Sequence, residues 1–214
     1  MADPKPEGRV ARRQRRNRAT LIEAARDIMA EKGVDATTML EIAERADVAA
    51  GTVYNYFKSK DELAVVVLET LMQELGRRIE QVTDTFDDPA QVYAFGIRTV
   101  LDTATTDERW AQLLHRSEVI ADAMFRNLGP FAIRDLRLAS QAGRFRVSNT
   151  ELVWRLTTHA IIGASLAITD GSLPASAKNQ VIARLLCMTG IDNDGAVELA
   201  ARPLPDLPPP PPRP

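Results

Sequence analysis

TTMLEIAERADVAAGTVYNYFKSKDEL, residues 37–63, holds the spacing that decides how this chain folds. Thr38 and Glu41 stand in an S/T-x-x-E arrangement, in which hydroxyl and carboxylate satisfy each other's exposed backbone N–H groups, so a helix starts at Thr38. Leu40, Ile42 and Ala43 give that helix an apolar side. Ala46-Asp47 is the turn, because aspartate is one of the few non-glycine residues that enters the left-handed backbone region without severe strain. A second helix follows over roughly Ala49 to Tyr56, with Val48, Val53 and Phe57 as its inward contacts. Ala50, Thr52, Tyr54, Asn55 and Tyr56 have less to pack against, and of the two tyrosines Tyr54 is expected to bury more of its ring. Ser59 and Glu62 repeat the capping pattern and open a longer helix.

Two short helices at a tight turn, the second carrying small and hydrogen-bonding side chains outward, form the helix-turn-helix arrangement that reads a DNA major groove. From about Arg18 to Leu63 the chain resembles the tetracycline-repressor (TetR) family of bacterial transcription regulators, most specifically in T-V-Y-N-Y-F-K-S-K-D-E-L, residues 52–63. The remainder resembles that family in layout only. Two positions depart from the family pattern: Ala49 stands where Ser or Thr commonly caps the reading helix, and Asp47 where Gly commonly makes the turn.

The resemblance implies an all-α protein. A disordered arm at 1–10 precedes a three-helix DNA-binding domain at 11–58, followed by a helical effector-binding and dimerisation domain at 59–201 and a proline-rich, disordered and solvated tail at 202–214. Composition agrees with a globular chain of one large or two modest domains. No uninterrupted apolar run reaches the roughly 18 residues of a membrane span, and no secretory leader is evident, so the cytoplasm is the expected location and a membrane is not an expected partner. Cys187 is the only cysteine, which excludes intrachain disulfides and cysteine-based metal clusters; neither metal nor cofactor is expected. The overall charge of −2 hides an asymmetry, with 12 Lys and Arg against 9 Asp and Glu in residues 1–60 and 15 against 20 beyond. Arg9, Arg12, Arg13, Arg15, Arg16 and Arg18 form a basic block ahead of the helix-turn-helix, suited to phosphate contact or minor-groove insertion.

Along the chain, a first helix is expected from about Arg13 to Lys32, closed by Gly33, and the helix after Ser59 reaches Val82 or beyond, long enough to be a lever between two functions. Asp87-Asp88-Pro89 opens the next, through about Ala104, with Val92, Phe95, Thr99 and Val100 inward. Thr105 and Glu108 match a further capping box ahead of a short helix with Trp110, Leu113 and Leu114. Glu118 to Ala142 is helical in pattern, and Gly129-Pro130 is expected to kink or split it. Ser148 and Glu151 cap a helix to about Thr169; another covers Ala175 to Thr189, and Asp192 to Ala201 is at best a short extra helix.

For DNA contact the candidates are Thr38, Ala50, Thr52, Tyr54, Asn55, Tyr56, Arg13, Arg16 and Lys60. Thr38, at a helix N-terminus, suits a phosphate; the tyrosines suit sugars, thymine methyls and phosphates; Asn55 suits adenine, which presents an adjacent donor and acceptor. Lys60 stands where the family places a phosphate-binding lysine. The resemblance also implies a homodimer on a palindromic operator, formed by the last two long helices, for which Ala160, Gly163, Ala164, Ala167, Val181, Leu185 and Met188 are the interface candidates. It implies a small-molecule pocket in each subunit, with Phe95, Trp110, Leu114, Met124, Phe125, Phe131, Trp154 and His159 as candidate walls and Asp102, Arg116 and Asp122 as polar orienters. Two other functions compete. An enzyme is disfavoured by the absence of G-x-S-x-G, phosphate-loop and H-E-x-x-H motifs; a ligand-independent or nucleoid-associated DNA-binding protein would bind with little sequence preference and a steep salt dependence.

Overall fold

A computed structural model describes residues 8–107, 110 and 117–209. All regular structure among them is helical: α1 (Arg9–Lys32), α2 (Met39–Arg45), α3 (Ala50–Tyr56), α4 (Lys60–Thr83), α5 (Pro89–Thr106), α6 (Ser117–Gln141), α7 (Thr150–Thr169), a 3-10 turn (Ala175–Ala177), α8 (Lys178–Cys187) and α9 (Asn193–Ala201). The chain divides into two compact units, Met1–Val67 and Leu68–Pro214. The division therefore falls inside α4 rather than at residue 58.

In the first unit, α1 buries Leu21, Ile22, Ala24, Ala25, Ile28 and Met29 at helical spacing and ends where Gly33 takes φ 89°. It begins four residues earlier than expected, so the basic block from Arg9 onward is helical and not an extended arm. At the start of α2 the capping box is complete: the Glu41 N–H donates to Thr38 Oγ1 at 3.3 Å and the Thr38 N–H donates to Glu41 Oε2 at 2.9 Å. Lys32 also pairs with Glu41, and these contacts, the lysine's first, then the Thr38 hydroxyl and N–H, draw its carboxyl down to about 2. Arg45 holds Glu31 with two bonds of 3.1 Å, a second tie between α1 and α2. Leu40 does not join the core; it is 58% exposed, and Met39 is buried with Ile42 and Ala43 instead.

The turn after α2 follows its sequence in detail. Asp47 adopts φ 53°, the only positive φ of a non-glycine among the described residues. Its N–H donates to the Glu44 carbonyl at 3.2 Å while the Val48 N–H reaches back to Ala43 at 3.0 Å. That pair of bonds is the Schellman closure of a helix, with aspartate where glycine usually sits. Chain direction is thus reset within the four residues that separate α2 from α3.

In the second unit, Asp88 opens α5. Its Oδ1 accepts the Ala90 N–H at 3.0 Å, with Pro89 at the first helical position, where no N–H is needed. The same carboxylate takes two 3.0 Å bonds from Arg144 and a 3.4 Å contact from Arg202. Partial burial pushes this carboxyl up, but the Arg144 bonds, the Ala90 N–H and both guanidinium charges outweigh it and hold it below the ordinary range. α5 buries Tyr93, Ala94, Phe95, Ile97, Thr99, Val100 and Leu101, with Val92 only half-buried. Thr105 does not cap a new helix: it lies within α5, its hydroxyl donating to the Leu101 carbonyl at 2.9 Å. Glu108 and Leu113 lie outside the described residues.

α6 runs unbroken through Gly129-Pro130. Proline removes one rung of the ladder, the bond to the carbonyl four residues back, and the packing of the remaining turns retains the helix. Gly129 is needed for contact: a Cβ there would sit 3.2 Å from Trp154 Nε1. α7 is capped by Asn149, whose Oδ1 accepts the Leu152 N–H at 2.9 Å, rather than by Ser148. It has the length and apolar composition of a membrane span, but Trp154, Thr157, Thr158, Ile161, Ile162 and Ser165 form a buried face and α5 and α6 pack against it, as for a core helix. The expected helix from Ala175 is a 3-10 turn leading into α8, which packs on α5 and α9. After α9 the chain has no regular structure through Pro209 but is tethered: Arg98 bonds the Arg202 carbonyl and Arg78 Nε donates to the Pro208 carbonyl at 2.7 Å. The solvated tail expected from composition is therefore fastened to α4 and α5 over its described part.

Candidate functional site

α3 is seven residues long and fully buries one of them, Val53. Phe57, which ends it, is 1% exposed, with the Arg18 guanidinium 5.2 Å from its ring centre. With that stripe inward, Ala50, Gly51, Tyr54 and Asn55 are exposed and Thr52 and Tyr56 half-buried. The tyrosines exchange the expected places, since Tyr54 is 57% exposed while Tyr56 is the one that packs. Ala49 caps α3 with no side-chain bond.

Around this helix the structure places further expected residues on the first unit's surface. Thr38 is exposed, but its hydroxyl is engaged by Glu41 at 2.7 Å. Lys60 begins α4 and donates to the Asp35 carbonyl at 2.7 Å. The helix start itself is a modified box: the Glu62 N–H donates to Ser59 Oγ at 3.1 Å, and Glu62 accepts from the Lys58 N–H at 2.7 Å instead of that of Ser59. Arg12, Arg13, Arg15 and Arg16 are exposed along α1. A helical backbone removes the option of threading these side chains into a minor groove as a free arm, while phosphate contact remains open to them.

A small apolar cavity lies in the second unit, lined by Gly76 and Ile79 of α4, Tyr93, Gly96, Ile97 and Val100 of α5, Leu128, Phe131, Ala132 and Asp135 of α6, and Trp154 of α7. Its walls are apolar but for three groups. Trp154 Nε1 is buried with no hydrogen-bond partner among the described residues. Asp135 is 7% exposed; Arg134 donates to its Oδ1 at 3.0 Å, and burial, only partly offset by that guanidinium, pushes its carboxyl up. The Tyr93 hydroxyl lies 3.1 Å from Thr157 Oγ1, and complete burial pushes its ionisation up.

Of the residues expected to wall a pocket, Phe131 and Trp154 line this cavity. Phe95 instead packs edge-on against Phe86, ring centres 5.5 Å apart. Phe125 is half-buried, with the Arg155 guanidinium 4.1 Å from its ring centre. Met124 and Trp110 are buried core residues that do not line it. His159 is exposed on another side of α7, its Nδ1 paired with the Arg155 carbonyl at 2.8 Å. Leu114 and Arg116 lie outside the described residues. Asp102 is committed to Lys178 at 2.7 Å, joining α5 to α8, and Asp122 stands exposed, 4.0 Å from Arg155. Sequence reasoning missed Tyr93 and Asp135; a carboxylate in register with Leu128, Ala132 and Ala139 on an otherwise apolar stripe was the available signal.

A third surface runs along α7. Leu152 and Leu156 are 53% and 51% exposed, followed at helical spacing by exposed His159, Ala160 and Gly163 and half-buried Ala164 and Ala167. Val181 of α8 is half-buried, and Met188, the residue that follows α8, is exposed. Leu185 departs from the expected interface: it is 4% exposed and packs within its own chain.

Comparison with known proteins gives two matches along the chain. Residues 21–67 match the model of bacterial regulatory proteins of the tetR family, and residues 88–202 the tetracyclin repressor-like C-terminal domain. The transcriptional repressor KstR2 of Mycolicibacterium smegmatis is 34% identical over 74 residues, 35% of this chain and 36% of that protein. KstR of the same species is 31% identical over 116 residues, 54% of this chain and 56% of that protein, so the matches span between about a third and about half the length of these relatives. The structure of RolR in complex with resorcinol superimposes with a TM-score of 0.85 at 32% identity, covering 92% of this chain and 99% of that one. Thermus thermophilus FadR in complex with lauroyl-CoA shares the fold, with a TM-score of 0.64 at 22% identity over 82% of this chain and 95% of that one.

Proposed function

Because the chain belongs to the tetracycline-repressor family of bacterial transcription regulators, a family of DNA-binding proteins and not of enzymes, we propose that it is a cytoplasmic repressor that binds a palindromic operator as a homodimer and leaves it on binding a small molecule. The observation that carries this is α3, whose one fully buried side chain leaves Tyr54 and Asn55 in solvent on a helix that can enter a major groove. Tyr54, Tyr56, Lys60, Arg13 and Arg16 then supply sugar and phosphate contacts, and Asn55 reads a base. Ala50 and Gly51 carry no hydrogen-bonding side chain, so the remaining specificity comes from Thr52, close backbone approach and DNA shape.

The dimer is supported by the α7 seam. A row of exposed Leu152, Leu156, Ala160 and Gly163 is an apolar surface of the kind that association covers, and small residues let a second helix approach closely. Two copies place their reading helices one turn of DNA apart, about 34–36 Å. Ligand response is supported by the cavity and by RolR, whose structure holds resorcinol. α4 contributes Gly76 and Ile79 to the cavity and belongs, at its other end, to the DNA-binding unit. An effector that prefers the arrangement of α4 incompatible with DNA shifts the population toward it; equal preference shifts nothing.

Footprinting and fluorescence anisotropy on DNA from around the chain's own coding region test this. A protected two-fold site, with Tyr56→Ala weakening binding to every sequence and Asn55→Ala changing the preference among operator variants, is the expected result. Protection of single asymmetric half-sites contradicts the dimer, and equal losses on all variants for Asn55→Ala contradict base reading there. Binding that does not distinguish operator from random DNA favours the ligand-independent alternative, since specific binding is typically about 10³–10⁷ tighter.

A further inference from the structure

Resting on the proposal that this chain answers to a small molecule, we infer that the molecule is a compact, uncharged, hydroxylated aromatic, held by the Trp154 Nε1–H as donor and the Asp135 carboxylate as acceptor. Trp154 is 1% exposed, and its N–H faces a glycine, Gly129, where any side chain would crowd the indole nitrogen. A buried N–H without an acceptor is rare in folded proteins; a ligand oxygen in the cavity supplies the acceptor that the described residues do not. Asp135 lines the same space, with Arg134 engaging its Oδ1. Facing the cavity, a carboxylate accepts from a ligand O–H and repels a ligand anion. Ile79, Ile97, Val100, Leu128 and Phe131 complete an apolar enclosure suited to a flat ring.

Charge narrows the class further. A single ring with two hydroxyls offers an acceptor to the Trp154 N–H and a donor to Asp135. A coenzyme A thioester brings phosphates toward Asp135, and a benzoate places like charge against it.

The test is indole ¹⁵N–¹H spectroscopy of the full chain, which has two tryptophans and so two indole signals, assigned with Trp154→Phe. Titration with 1,3-dihydroxybenzene should move the Trp154 N–H signal downfield. Asp135→Asn, which keeps the size and loses the charge, should bind this probe about tenfold less tightly, because hydrogen bonds to an ionised acceptor are the stronger ones. Toluene, which needs no polar partner, should bind both forms alike. Binding of the diphenol with the Trp154 signal unmoved, or no binding at millimolar concentration, overturns the inference. Operator release by lauroyl-CoA or benzoate but not by the diphenol also overturns it, while leaving ligand-responsive repression intact. Operator release by none of a broad panel of small molecules, with DNA binding normal, removes that underlying reading itself.

Discussion

Val53→Ala probes how α3 is held. Val53 is 0% exposed and is the one fully buried side chain of the seven-residue helix. The substitution removes two methyl groups, about 0.8 kcal/mol each, or about 1.6 kcal/mol in all, with a further cost for the space left behind. Since about 1.4 kcal/mol is a factor of ten in an equilibrium, the fraction of time α3 spends undocked rises roughly 15-fold or more. Hydrogen exchange of the Ala50–Tyr56 amides in the full chain reads this directly, and their protection should fall by that factor while α5 and α7 keep theirs. Tyr54→Ala is the matched control: a side chain 57% exposed contributes little to docking, so exchange in α3 should hardly change while operator affinity falls. Unchanged protection in Val53→Ala, or an equal loss in Tyr54→Ala, would refute the separation of an inner packing stripe from an outer reading face.

Three further outcomes follow from local geometry. Ala49→Ser supplies the missing cap of α3 and should stabilise the first unit by about 1 kcal/mol in chemical denaturation. Glu41 ionises at about 2 when folded against an ordinary 4.5, so its contribution is present above about 4.5 and is lost as pH falls toward 2. Circular dichroism should show Glu41→Gln less acid-sensitive in that window than the parent chain. Gly76→Ala places a Cβ 2.8 Å from Phe131 Cε2, so that cavity wall must shift, and affinity for a ring-sized ligand should fall, measured by calorimetry.

The DNA-reading end was legible because its signals are local. A hydroxyl and carboxylate three residues apart, an aspartate at a turn and two buried apolar residues define α2 and α3 without knowledge of the rest. Within a helix as short as α2, neighbouring positions compete for the core, which is why Met39 takes the place assigned to Leu40. Pro130 illustrates the opposite limit: its cost is local and its compensation is not, since the rest of α6 packs against α5 and α7. The cavity was scarcely legible. Tyr93, Asp135 and Trp154 come from three helices, and nothing in the pattern of any one of them announces that they meet.

Asp88 has a consequence for genetics. One carboxylate caps α5, anchors the loop after α6 through Arg144 and clasps the residue after α9 through Arg202. A screen for loss of repression should therefore recover changes at Asp88 as readily as changes in the operator-facing helix. Carriers would be constitutive for want of folded protein, with low steady-state abundance, and would be mistaken for lesions in recognition unless protein levels were checked.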